Sequence, residues 1–365
     1  MVFDDVEVIA GLTPSISREV KGIMINQKLL KLVCNTPGIP GFEDPIQEIV
    51  EEMLRPTCDE VQRDRMGNVI GQKKATKPSV GERPLRVVLA AHADEIGMMV
   101  KHLDGNGFIR FEPMGGLNAQ AIVSQRVIVH GREPVNGVIV PTNGDKIPAM
   151  KDMLIDVALP RDKVCELIEV GDAITFAQEL VLLNDKVYMG RNFDDRIGTY
   201  CLLEAMNHLG DTAVDVYAVS TVQEEKGVRG MPVAAFAIEP HVGLAIDGSL
   251  TWGAHIGKHE NLCALGEGTG IYLMDGLTIA DRRLLRFLFD LCEKHKVPYQ
   301  RNIGGGTDAS AIQRTGTGAL ATTIGAPTRY MHSTVQLAHS DDIAATVKLL
   351  VAFLENAHHL KELVR

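Results

Sequence analysis

The feature that most constrains this chain is a buried strand that ends in polar chemistry. Residues 86–91, RVVLAA, have the length and β-branched content of a strand in a sheet interior, and they stop at His92-Ala93-Asp94-Glu95. The pattern recurs: DVYAVSTVQ runs into Glu224-Glu225, and VGLAIDG carries Asp247 at its end. Helical periodicity lies between and after these strands. It appears in RIGTYCLLEAMNHL, in DRRLLRFLFDLCEKHK with Leu284, Leu288, Leu291 and Cys292 on one face, and in IAATVKLLVAFLENAHHL, while LATTIGAP reads as a further strand. Strands alternating with helices predict an α/β fold, in which functional groups gather at the carboxyl ends of the strands.

Two stretches break the alternation. Upstream, NQKLLKLVCNTPGIPGFEDPIQEIVEEMLR reads as two helices around a Pro/Gly-rich turn. From Gly97 to Gln178 the texture becomes β-rich: FIRFEP, AIVSQRVIVHG and VNGVIVP are punctuated by Gly107, Gly115, Gly116, Gly131, Gly137 and Gly144, which predicts a small barrel or sandwich inserted into the α/β unit. The expected organisation is an N-terminal extension over residues 1–25, a catalytic unit over 26–96 and 179–365, and a β-rich insertion over 97–178 that offers a place for subunit contacts.

At 365 residues, with 45% hydrophobic and 23% charged side chains, the chain can bury a sizeable core. A balance of 37 Lys+Arg against 47 Asp+Glu, formally −10, argues against non-specific binding to nucleic acid or an anionic membrane. Charged residues or glycines interrupt every apolar run before it reaches the length of a membrane span. Cys34, Cys58, Cys165, Cys201, Cys263 and Cys292 include no C-x-x-C pair, so reduced thiols are expected. Asp4, Asp5 and Glu7 sit where a secretory signal would carry positive charge. Together these features predict a cytoplasmic protein.

His92, Asp94, Glu224, Glu225 and Asp247 lie at predicted strand ends; Asp194-Asp195 at the start of a helix and His332 in RYMHS complete a mixed His/Asp/Glu set. Imidazole and carboxylate donors without thiolates suit zinc, cobalt or manganese, and a carboxylate shared by two ions is a common basis for a two-metal hydrolytic site. A neighbouring carboxylate that is not a ligand can serve as general base. Adjacent residues in extended chain point in different directions, so Glu224 and Glu225 can divide these roles. Each residue alone has a plainer explanation: Asp194-Asp195 as a helix cap, Glu224-Glu225 as a solvated loop, Asp247 as the start of an Asp-Gly turn. Their joint placement favours a site.

The segments AAHADEIGMMV, GRNFDDRIG, TVQEEKGVRG, AIDG, GGGTDAS and RYMHS, in this order and at these separations, resemble the tetrahedral or glutamyl aminopeptidases, also known as deblocking aminopeptidases and as cellulase M. The resemblance runs from about Asn26 to the C-terminus. It implies a zinc-exopeptidase α/β/α sandwich interrupted by a β-barrel-like domain, and a metal-dependent aminopeptidase acting on peptides with a free N-terminus. It also implies two divalent ions per subunit, zinc or cobalt: His92, Asp194 and Asp247 on one, Asp194, Glu225 and His332 on the other, with Asp194 bridging. By the same resemblance Glu224 is the general base, and Asp94 is the acid that fixes the tautomer of His92. A homo-oligomer built from dimers, up to a tetrahedral dodecamer, is implied as well. The segment GSLTWGAHIGKHENLCALGEGTGI after Asp247 departs from the family's Pro-Gly-containing loop, so substrate-pocket inferences do not carry over. His255 and His259 within it are read as non-ligands, because the local glycines favour a loop.

Three other readings use the same residues. A deacylase or related metal-dependent amidohydrolase shares the scaffold. A glycoside hydrolase would use two carboxylates and leave His92 and His332 without a role. A metal-stabilised scaffold would need no general base beside its ligands, and Glu224 speaks against it.

Overall fold

The structure, a computed structural model, describes residues 23–78, 83–142, 148–253, 255–257, 259–260 and 262–364. Residues 1–22 of the expected N-terminal extension, and Gly144 of the β-rich segment, lie outside the described residues.

Four parallel strands form the middle of the main sheet. Arg86–His92 lies between Asp215–Thr221 and Val242–Ile246, and Leu320–Gly325 follows. Val69–Lys73 and Glu60–Arg63 extend one side; Thr269–Met274 and Tyr299–Ile303 extend the other, to eight strands. The side-chain period of two explains why the central runs are continuously apolar. Val87, Leu89 and Ala91 face one helical layer, Val88 and Ala90 face the other, and all five are buried. The first layer holds Gln27–Asn35, Asp44–Leu54, Phe193–His208, Arg282–His295 and Ser340–Asn356; the second holds Gly230–Ile238 and Ala309–Gln313. This is the α/β fold expected from the alternation, in the α/β/α sandwich form that the resemblance implies.

The insertion folds as a closed barrel. Around the closure run Gly97–Leu103, Ile109–Met114, Met153–Asp156, Pro134–Pro141, Arg126–His130 and Ala173–Phe176. Met98, Ile109, Val127, Ile139, Ile155 and Phe176 belong to its separate core. The barrel meets the sandwich where the His130 ring packs 5.2 Å from Phe42 of the Pro/Gly-rich turn.

Nothing in the sequence patterning announces a second sheet. It consists of Val181–Leu182, Val187–Gly190, Gln336–His339, Pro327–Arg329 and Ser249–Thr251, strands of two to four residues that are too short to display an alternation. Its placement matters for function. Val187–Gly190 precedes Asp194, Ser249–Thr251 follows Asp247, and Pro327–Arg329 and Gln336–His339 flank His332. Among the described residues no helix is long and apolar enough to cross a membrane, and all six cysteines are free thiols.

Candidate active site

The register of the main sheet sets the site. His92 and Thr221 are paired end residues of neighbouring parallel strands, so the chain leaves both at one level. His92 is pinned through its backbone: its N–H donates to Asp195 Oδ2 (3.2 Å) and its carbonyl accepts from Thr199 Oγ1 (3.1 Å). Its Nδ1 lies 3.0 Å from the Asp94 carbonyl oxygen and 3.6 Å from the Asp94 carboxylate. With Nδ1 held by Asp94, Nε2 is the ring nitrogen that faces the site. Nε2 is 3.1 Å from Asp194 Oδ1, and the other oxygen, Oδ2, is 3.2 Å from His332 Nε2. Glu225 Oε1 approaches the same His332 nitrogen at 3.6 Å. One buried carboxylate thus stands between two imidazoles.

The two aspartates at the start of Phe193–His208 take different parts. Asp195 does the capping anticipated for the pair, accepting the Gly198 N–H on Oδ1 (3.2 Å) while Oδ2 holds His92. Asp194 has non-helical φ/ψ and faces the imidazoles, its own N–H donating to Gln336 Oε1 at 3.0 Å. Arg196, fully buried, donates to the carbonyls of Ala93 (2.7 Å), Val33 (2.7 Å) and Thr36 (2.6 Å), tying the end of the His92 strand to the first helix. Gln336 carries no motif signal, and Arg196, although it lies within GRNFDDRIG, has a role that the motif does not reveal. The partners of each are distant in the chain.

The turn that carries Glu224 and Glu225 is held by buried side chains. Asp94 accepts the Glu224 N–H on Oδ1 and the Glu225 N–H on Oδ2, both at 3.0 Å. Val222 donates to Asn68 Oδ1 at 3.0 Å, and Gln223 to Glu43 Oε1 at 3.1 Å. The Asp94 carboxylate thereby holds this turn while also facing His92 Nδ1, for which its carbonyl is the nearer acceptor.

Two groups of donor atoms result, each gathered within 4.8 Å: His92, Asp194 and Asp247, and Asp194, Glu225 and His332. Glu224, His255 and His259 belong to neither. Burial pushes Asp247 well above the carboxylate range, with Asp195 and Asp194 adding to it. Burial does the same to Glu224 against the pull of His92, and takes Glu225 up to about 7, helped by Asp194. Asp194 is the exception. Burial opposes its ionisation, but hydrogen bonds from His332 and His92 override burial and hold it below the usual range. In turn, the bond to Asp194 raises His332 to about 9. Glu225 Oε1 is buried without a hydrogen-bond partner. A set of buried acids short of positive charge, with an orphaned oxygen and only nitrogen and oxygen donors, fits a pair of divalent cations.

The barrel reaches this centre through Gly115 and Gly116, just past Ile109–Met114. A Cβ built on Gly115 would lie 2.8 Å from Glu225 Oε2, and one on Gly116 would overlap His332 Nδ1. Gly116→Ala is therefore expected to push His332 aside and weaken divalent-ion binding at one of the two groups by roughly tenfold or more in calorimetric titration. Gly105→Ala, whose added carbon meets nothing within 4 Å, should bind ions like the parent. Unchanged ion binding by Gly116→Ala would show that the barrel loop does not constrain His332.

Comparison with known proteins gives a consistent picture. Residues 67–349 match the M42 glutamyl aminopeptidase family. Lysyl aminopeptidase of Pyrococcus furiosus is 33% identical over 349 residues, 91% of this chain and 97% of that protein. Among solved structures, an aminopeptidase from the archaeon Desulfurococcus kamchatkensis has a TM-score of 0.86 and 35% identity, covering 90% of this chain and 94% of its own. The TET1 peptidase of Pyrococcus horikoshii has a TM-score of 0.81 and 29% identity, covering 90% and 99%. The matched span contains every residue of both donor groups, and the chain belongs to the M42 glutamyl aminopeptidase family, metal-dependent hydrolases of peptide bonds.

Proposed function

We propose that this protein removes N-terminal residues from peptides with a free amino terminus, using two divalent cations per chain. The observation that carries the reading is Asp194, whose two oxygens each face an imidazole, at 3.1 and 3.2 Å. In this reading His92, Asp194 and Asp247 hold one ion, Asp194, Glu225 and His332 hold the other, and zinc or cobalt suits the donors best. When bound, such ions polarise a scissile carbonyl as Lewis acids and acidify water.

The chain's own residues do the rest. Asp94 fixes the Glu224 and Glu225 amides, which sends one side chain to a donor group and leaves its neighbour for proton transfer. A carboxylate oxygen of Glu224 takes a proton from the attacking water and later delivers it to the departing amine nitrogen. Asp94, through its carbonyl, keeps the proton of His92 on Nδ1.

We assign residues 26–96 and 179–365 to the catalytic unit and 97–178 to the inserted unit, which walls the site through Gly115 and Gly116 and offers surface for subunit contacts. A cytoplasmic location suits the unpaired thiols. A homo-oligomer built from dimers, up to a tetrahedral dodecamer, is supported by the likeness to TET1, described as able to assemble into a tetrahedron or a large octahedral shell. Sedimentation should show an even-numbered assembly of the metal-loaded protein at micromolar concentration. A monomer would refute it.

Glu224→Gln keeps size and hydrogen bonding but removes the proton acceptor, so both ions should still bind while kcat on amino-acid amides falls roughly 10²-fold to 10⁴-fold. Glu225→Gln should instead weaken one ion, with activity partly restored by excess metal. Near-normal kcat in Glu224→Gln, or an ion position emptied by that change alone, would reverse the assignment of the pair. Hydrolysis confined to N-acetylated amides would mark a deacylase.

A further inference from the structure

We infer that Glu43 is a positioning residue for Glu224, acting through the Gln223 amide and the turn that follows it. The inference rests on the reading above in which Glu224 moves the proton.

Glu43 occupies the N-cap position of Asp44–Leu54, where a short polar side chain such as Asp or Ser ordinarily accepts the helix's own first N–H groups. It makes no such bond. Its carboxylate turns away and spans two loops instead: Oε2 accepts the Gly41 N–H at 2.8 Å, and Oε1 accepts the Gln223 N–H at 3.1 Å, across 180 positions of sequence. The side chain is buried, with the residue 6% exposed. Burial and the nearby Asp94 carboxylate push its pKa up to about 7, and the amide donors oppose that. A neutral Gln has one acceptor oxygen and would turn its NH₂ toward the second N–H, so holding both amides calls for a carboxylate.

Gln223 needs such a hold. It sits in the left-handed region at φ 56°, ψ 35°, uncommon for a residue with a side chain and retained only where the surroundings determine it. The next two residues are Glu224 and Glu225, so the Gln223 conformation sets the direction in which both leave the strand. Four successive amides, Val222 to Glu225, each meet a buried acceptor, supplied by Asn68, Glu43 and Asp94. Glu43 is the member of this set that comes from the Pro/Gly-rich turn. It links that turn to the proposed general base.

The test is a double-substitution cycle on the metal-loaded protein, read by kcat, KM, melting temperature and divalent-ion titration. Glu43→Gln should lower kcat by roughly 10-fold to 100-fold, the usual effect of losing a partner that orients a site residue. KM should stay within about twofold and both ions should still bind at saturation. Added to Glu224→Gln, the same change should cost less than about twofold more, because its effect passes through the residue already lost. Glu43→Asp keeps the charge but not the reach, and should show the same pattern; if Glu43→Gln does not fold, Glu43→Asp decides by the same comparisons. Parent-like kcat in a folded Glu43 variant, or a loss that multiplies in the double variant, overturns the inference. Near-normal kcat in Glu224→Gln alone would instead reject the general-base reading beneath it.

Discussion

Buried negative charge in excess of local positive charge is the constraint around which this molecule is organised. Asp94, Asp194, Asp195, Asp247 and Asp308 are each under 10% exposed, and the Glu225 side chain is 4% exposed. The buried arginines nearby do not neutralise them: Arg196 is spent on backbone carbonyls and Arg191 on Glu95. Each acid therefore has to be satisfied otherwise. Asp94 and Asp195 are met by backbone amides, Asp194 by two imidazoles, and Asp308 by the Thr221 hydroxyl on one oxygen. Among the described residues Asp247 and Glu225 have no such partner and, with Asp194, are the acids proposed to face cations.

The fold delivers those acids in three ways. Parallel register brings the ends of the His92 and Thr221 strands to one level. The small second sheet turns the chain at Asp194, Asp247 and His332 toward the same point. The barrel then closes one side with two glycines whose missing side chains leave room for Glu225 and His332. A side chain added at either glycine would meet Glu225 or His332, so this loop of the barrel borders the donor groups.

What the sequence makes legible is whatever lies along one stretch of chain. The both-face-buried strands, the amphipathic helices and the glycine-punctuated barrel all have periods that fit within a window of ten or so residues. The residues of the two donor groups were identifiable because they stand at strand ends or beside them. What lay hidden depends on distant partners: Gln336 with Asp194 across 142 positions, Glu43 with Gln223 across 180. The five strands of the second sheet left no pattern because two to four residues are too few to show an alternation. Asp194 and Asp195 look equivalent in their local pattern; the resemblance alone singles out Asp194, and the three-dimensional placement gives it the imidazoles and gives Asp195 the cap. Asp94 shows the same limit, since its carboxylate serves the Glu224–Glu225 amides and its carbonyl is the nearer acceptor for His92.

Counting divalent ions per chain tests the shared-carboxylate centre most directly. Protein stripped by chelation and titrated with zinc or cobalt should saturate at two ions per chain, and His332→Ala should saturate at one under the same conditions. A parent protein that takes up one ion or none at saturation would contradict the account.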